Sequence, residues 1–429
     1  MDPLTPPRPD PPPDHPDRPA GAASVLTDYA PPGVPPDRDR VGLHIGLFLL
    51  TFASMVWAGG ALVGRNAEWP RLPAGAGFWE NTAALFGLLA DPTFLTDGFL
   101  YAVPFLLFLT VHEFGHYTTA RLLRTRVSLP YYIPVPLPGS LGTLGAVIRI
   151  KEPLRRTRQL FDIGAAGPLA GFVVAVGVLL VAVLTLPPPE YLLDVAGHGD
   201  TVRYLLETGR FPPFDPDLVE RGSMALVFGD TPLFHAMNGL GWVRVPGNEI
   251  VHYPVLLAGW LGLFFTALNL LPVGQLDGGH VVYALFGPAV HRVVARVTTL
   301  LLLLSGGVGL VGDLAGTMPT WQVWTALGLL YALALARLFE GEWRLVGPGV
   351  VGGVALVALL VTATPGLAAA VGWTGWLVWV ALILFVIRVD HPSVRVREPL
   401  TPGRRALGYL CLVIFALCFS IQPIQLVGG

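Results

Sequence analysis

The sequence predicts an all-α polytopic membrane protein of about nine transmembrane helices with one small membrane-associated β-hairpin. Three observations predict it. Hydrophobic residues make up 53% of the 429-residue chain and charged residues only 13%, where soluble domains carry roughly a quarter. Apolar runs long enough to cross about 30 Å of hydrocarbon recur along the chain. The connections between those runs are strongly basic in one place and acidic in the next.

Residues 1–40 hold 13 prolines with several Asp and Arg. Such a segment cannot bury enough apolar surface to offset its ordering entropy, so a disordered cytoplasmic tail is expected. It has no apolar centre and does not read as a secretory signal peptide. Segment 41–97 carries the first span, 42–64, and an extracytoplasmic connection in which 75–95, with Trp79 and Phe86, is too short and broken to cross and is expected at the interface. Further spans are predicted over 98–123, 159–186, 251–272, 297–315, 320–338, 347–364, 370–388 and 406–425, the fourth span being interrupted by "NLLPVGQLDGG".

Charge sets the orientation. The connection 121–158 has eight Lys/Arg and one acid, Glu152, and is therefore assigned to the cytoplasmic side. The connection 187–250 has four arginines and nine acids and is assigned to the other side. Arg395, Arg397, Arg404 and Arg405 then return to the cytoplasm, as nine crossings from a cytoplasmic N-terminus require. Within the basic connection, 129–150 is rich in proline, glycine and β-branched residues, and "GAVIRI" reads as a strand of the hairpin. A net charge of -2 leaves no basic field for nucleic acid. Cys411 and Cys418, seven residues apart in one apolar run, share a helix face and read as packing residues.

One span breaks the apolar pattern with "VHEFGH", which places His112, Glu113 and His116 inside a lipid-soluble helix. Each ionisable group there costs about 2.5–3.5 kcal/mol on insertion scales, so a function is the default reading. Positions i and i+4 lie one above the other on a helix, and both imidazoles can reach one ion. Glu113 is about 100° further round, beside the ion rather than on it. This is the H-E-x-x-H arrangement of two nitrogen ligands with a carboxylate able to take a proton from an attacking water. Zinc suits the donors, one ion per chain, with an oxygen ligand still required. Asp277, on the broken span beside Pro272, Gly274, Gly278 and Gly279, is the strongest candidate. Irregular backbone at membrane depth is tolerated only where it is buried or lines a wet cavity. Asp162, Asp313 and His280 compete for the place.

"HEFGH", with Asp277 of "NLLPVGQLDGG" 161 residues after its second histidine, resembles the site-2 proteases, the intramembrane zinc metalloproteases. "SLPYYIPVPLPGSLGTLGAVIRIKEP" and "FDIGAAGPLAG" are similar to the bacterial and chloroplast EGY-type branch. The resemblance covers 98–287 and implies a three-span catalytic core there, with 187–250 as an extracytoplasmic insertion and 288–429 as additional C-terminal spans. It implies that His112, His116 and Asp277 bind zinc, that Glu113 is the general base, and that the substrate is a transmembrane segment of another protein in the bilayer. The setting expected from it is a bacterial cytoplasmic membrane, with the site toward the cytoplasm.

Asn269 either satisfies backbone groups freed by Pro272 or, as the resemblance suggests, holds the substrate carbonyl or the developing oxyanion. Val147 and Ile148 either line the site or offer a strand edge to an unwound substrate. Gly164, Gly167 and Gly171 recur at a spacing that close helix packing explains, and Gly171 stands where many relatives have a polar residue. Two other function classes remain open on the residues alone: a membrane metal transporter and a catalytically silent binding scaffold.

Overall fold

The computed structural model describes residues 39–65, 80, 87–137, 139–214, 225–391 and 394–427. The expected disordered tail lies outside these, apart from residues 39 and 40, and so does most of the expected interfacial segment 75–95.

Helix α1 runs Val41–Val63 and α2 runs Pro92–Leu122. The start of α2 is fixed by Pro92 in the first turn and by the Asp91 carboxylate, which accepts from the N–H groups of Thr93 (2.7 Å) and Phe94 (3.3 Å). The two helices pack closely because Gly98 lies on the α1 backbone, where a Cβ would stand 2.2 Å from the Val56 carbonyl oxygen. Arg65, just past α1, donates Nη2 to Asp97 Oδ1 (2.8 Å) and Nε to Oδ2 (3.1 Å), joining the same two ends.

Strands β1 (Tyr131–Pro134) and β2 (Thr143–Val147) pair antiparallel, Tyr131 opposite Val147, so the expected hairpin is present. Its second strand starts and ends earlier than "GAVIRI": Ile148 falls just beyond the ladder, and Ile150 makes only an isolated bridge to Val127. The irregularity between Tyr132 and Pro134 shifts the register, since proline has no N–H to continue a ladder. The hairpin is tied to the bundle by Tyr101 Oη, which donates to the Leu141 carbonyl (2.9 Å).

Helix α3 (Thr157–Leu184) packs against α2, and the connection that follows holds α4 (Gly199–Thr208), β3 (Ala225–Phe228) and α5 (Pro232–Gly239). Helix α6 (Pro254–Asn269) then packs on both α2 and α3. Beyond it the chain turns through 270–276 into α7 (Asp277–Leu314), which is itself broken at Gly287 ahead of Pro288. The remainder comprises α8 (Thr320–Leu338), α9 (Trp343–Ala363), α10 (Pro365–Val371), α11 (Gly375–Leu382) with a π turn over Ile383–Ile387, α12 (Pro402–Cys418) and β4 (Ile424–Val427). Strand β4 pairs antiparallel with β3, Ala225 opposite Val427. The C-terminal strand is therefore joined to the 187–250 connection. Cys411 and Cys418 are buried and unbonded to each other, as packing residues should be.

Among the described residues six helices are long and apolar enough to cross a membrane, or seven if the pair Pro365–Val371 and Gly375–Ile387, bent by 52°, counts as one span. The count of nine expected from the apolar runs is not reached. Helix α6 has 16 residues and α12 has 17, or about 25 Å at 1.5 Å per residue, which falls short of the hydrocarbon thickness. Pro254 and the turn after Asn269 bound the first of these. In the second, the apolar run continues past Cys418 as turn and strand rather than helix.

Candidate metal centre

Helix α2 stacks His112 and His116 one turn apart, with both side chains buried and their Nε2 atoms 3.1 Å from each other. Asp277 reaches them as the first residue of α7, its Oδ2 lying 3.4 Å from His112 Nε2 and 3.2 Å from His116 Nε2. A carboxylate at a helix N-terminus is favoured by the unpaired N–H groups and the helix dipole. The turn that delivers it depends on glycine. Gly274 has φ +54° and lies against the Arg388 carbonyl, where a Cβ would come within 1.8 Å. A Cβ on Gly278 would stand 1.9 Å from the Leu270 carbonyl oxygen.

Two imidazole nitrogens and a carboxylate oxygen are a zinc donor set, and tetrahedral ligands at about 2.0–2.2 Å from the ion are about 3.3–3.6 Å apart. Of the observed separations, 3.4 Å falls inside that range and 3.1 and 3.2 Å lie just below it. His116 Nδ1 donates to the Ile163 carbonyl oxygen (2.7 Å). That leaves the Nε2 lone pair facing the centre, the outer hydrogen bond that orients a metal-binding histidine. The residues present therefore fit the ion that the donor chemistry implies.

Glu113 is buried beside the centre, Oε1 4.0 Å from His112 Nε2, with the Ile148 backbone close to its carboxylate. Asn269, the last residue of α6, brings its amide nitrogen to 3.4 Å from His112 Nε2. Its side chain thus reaches the centre. The competing ligands are engaged elsewhere. Asp162 accepts two bonds from Arg404 on α12 (2.7 and 2.8 Å), Asp313 accepts from Thr374 Oγ1 (2.5 Å), and His280 Nδ1 bonds His391 Nε2 (2.8 Å).

Sequence reasoning missed how α3 backs this site. A Cβ at Gly167 would fall 2.0 Å from His116 Nε2, and one at Gly171 would fall 3.0 Å from His112 Nδ1. The three glycines of α3 are packing residues, but two of them pack on the imidazoles, and the third, Gly164, on His280. Buried His112 Nδ1 has no hydrogen-bond partner among the described residues, and Gly171 is the position facing it. The G-x-x-G-x-x-x-G spacing was the available signal; what it packed against was not.

The model for peptidase family M50 matches residues 100–312, which include every residue of this centre. Relatives from plants agree on the branch. The chain is similar to a probable zinc metalloprotease EGY2, chloroplastic, of Oryza sativa subsp. indica, at 28% identity over 52% of this chain and 35% of the relative. A probable zinc metalloprotease EGY1, chloroplastic, of Arabidopsis thaliana is 31% identical over 42% of this chain and 28% of its own length. A probable zinc metallopeptidase EGY3, chloroplastic, of the same plant is 29% identical over 54% and 38%. The chain thus spans about a third of the length of these relatives. No solved structure matches it significantly. The expected bacterial cytoplasmic membrane finds no support here, since the printed names of these relatives read chloroplastic.

Proposed function

We propose that the protein is a multi-pass membrane zinc endopeptidase that hydrolyses peptide bonds within or near transmembrane segments of other membrane proteins. The observation that carries the proposal is the meeting of His112, His116 and Asp277 within 3.4 Å of one another, with Glu113 and Asn269 at its edge. The M50 match and the metalloprotease names of the relatives support it.

In this reading His112 and His116 supply two nitrogen ligands and Asp277 the oxygen ligand for one Zn2+. The ion's contribution when bound is Lewis-acid polarisation of the scissile carbonyl and a lowered pKa for the attacking water. Glu113 takes the proton from that water and later returns it to the leaving amine, one carboxylate serving as base and then as acid. The Asn269 amide donates to the carbonyl oxygen as negative charge develops there.

A substrate helix hides its carbonyls in internal hydrogen bonds and must unwind before attack. Among the described residues the hairpin has only two strands, so one edge of β2 is not in a ladder. That strand runs toward Glu113 through Ile148 and passes Phe265 of α6 at Gly145. The unwound segment adds to this edge, with Val147 and Ile148 nearest the chemistry.

The test uses the purified full chain with elemental metal analysis and a model transmembrane substrate. One zinc at this centre, with cleavage abolished by chelation and by Glu113→Gln while zinc is retained, is expected. Full cleavage by Glu113→Gln at normal metal content would refute the reading.

A further inference from the structure

A second convergence of metal-type donors lies far from the M50 centre, in the connection assigned to the acidic side. His198 immediately precedes α4, Glu249 immediately precedes the short 3-10 turn Ile250–His252 that leads into α6, and His252 ends that turn. One nitrogen of each imidazole and one Glu249 carboxylate oxygen lie within 4.8 Å of one another. The two rings stand edge to face, centroids 4.7 Å apart.

Both histidines are oriented as metal ligands are. His198 Nδ1 donates to the Ala196 carbonyl (3.1 Å) and His252 Nδ1 to the Val63 carbonyl at the end of α1 (2.8 Å). Each Nε2 is thereby left as the lone-pair nitrogen. Glu249 is only 5% exposed, and its Oε1 accepts from Asn248 Nδ2 (2.8 Å). Its Oε2 lies 3.2 Å from His198 Nε2, yet the contact is not aligned as a hydrogen bond, so this buried oxygen has no hydrogen-bond partner among the described residues. The His198 contact offsets part of the burial of this oxygen, and a cation held between the two groups would offset more. The trio also opens on a cavity of 710 Å3, which leaves room for water as a further ligand.

We propose that His198, Glu249 and His252 form a second site for a divalent transition metal, with zinc favoured by two imidazoles and a carboxylate. Its role is to pin the 187–250 connection to the end of α1, through His252 and Val63, and to the start of α6. Helix α6 has 16 residues, so its far end, where Asn269 meets His112, is about 24 Å away. The site therefore stabilises the helix that positions Asn269 without touching the centre itself.

The experiment loads the full-length protein in detergent with Zn2+, removes the excess, and counts bound zinc. Two per chain are expected in the unmodified protein and one in His112→Gln/His116→Gln. Adding Glu249→Gln and His252→Gln to that variant should remove the remaining ion. The same additions should abolish the rise in melting temperature that zinc gives the His112→Gln/His116→Gln protein. X-ray absorption on the zinc retained by His112→Gln/His116→Gln reads the ligands without touching the trio, and two imidazoles with an oxygen ligand are expected. One zinc in the unmodified protein and none in His112→Gln/His116→Gln would overturn the proposal, leaving His198 and Glu249 as an ion pair only. A second zinc that survives Glu249→Gln/His252→Gln, or that shows no imidazole scattering, would overturn it as well.

Discussion

Substituting alanine for Gly167 would place a methyl carbon 2.0 Å from His116 Nε2, where ordinary contact begins near 3.4 Å. Either the imidazole or the helix must give by the difference, 1.4 Å. Zinc–ligand distances tolerate only about 0.2 Å, so a displaced His116 is a lost ligand. Disturbing an outer hydrogen bond to a ligand costs about 10- to 100-fold in metal affinity, and displacing the ligand should cost at least the upper figure, about 2.7 kcal/mol. If α3 moves instead, the cost is overpacking, about 1–3 kcal/mol of stability, with zinc affinity spared. Gly177 on the same helix is the control, because a Cβ there meets nothing within 4 Å. Its alanine variant should be neutral or slightly stabilised, as alanine gains up to about 1 kcal/mol over glycine in a helix. Zinc affinity measured by chelator competition, alongside thermal unfolding, separates the outcomes. Gly167→Ala binding zinc within about threefold of the unmodified protein, with His116 still required for binding, would show that this contact does not constrain the ligand.

The other expectations concern neighbouring parts of the same arrangement. Asn269→Ala and Asn269→Leu should keep their zinc while kcat falls about 10²- to 10³-fold, as for loss of an oxyanion donor; full turnover in both would remove the amide from the chemistry. Asp162→Asn should leave zinc content unchanged and cost at most about 1 kcal/mol in unfolding experiments, the range of a partly exposed ion pair, whereas lost zinc would show that the centre depends on the Arg404 pair. Val147→Pro should impair cleavage of an intact transmembrane substrate at normal zinc content. Ile148→Pro should do the same, since proline removes an N–H that a paired strand would use; undiminished cleavage by both would count against strand addition.

The convergence of the two histidines was legible because helical geometry is local: four residues of spacing fix where His116 sits relative to His112. Asp277 was legible for another reason, since a carboxylate beside a proline and three glycines in an apolar run has few structural explanations. The span count was less accessible. Hydropathy registers α6 and α12 as crossings, but where a helix starts and stops depends on Pro254, on the turn after Asn269 and on the conversion of 419–427 to turn and strand. The strand at 143–147 was found two residues late because its register is set by Tyr131 and Tyr132 on the partner, a non-local pairing. The His198, Glu249 and His252 cluster left no sequence signal at all: 51 positions separate its first member from its second, and the pairing is made by the fold.

The Arg404–Asp162 pair has a consequence for how the protein can be divided. It fixes α12 to α3, the helix whose glycines press on both zinc-type histidines. The Arg388 carbonyl packs on Gly274 in the turn that delivers Asp277, and His391 holds His280 one helical turn beyond it. A protein truncated after residue 287 would lose all three supports, leaving Asp162 without its counter-charge and the Asp277 turn without its backing. The C-terminal helices back the cluster of His112, His116 and Asp277, so a shortened protein designed from this chain would have to rebuild those contacts rather than merely omit them.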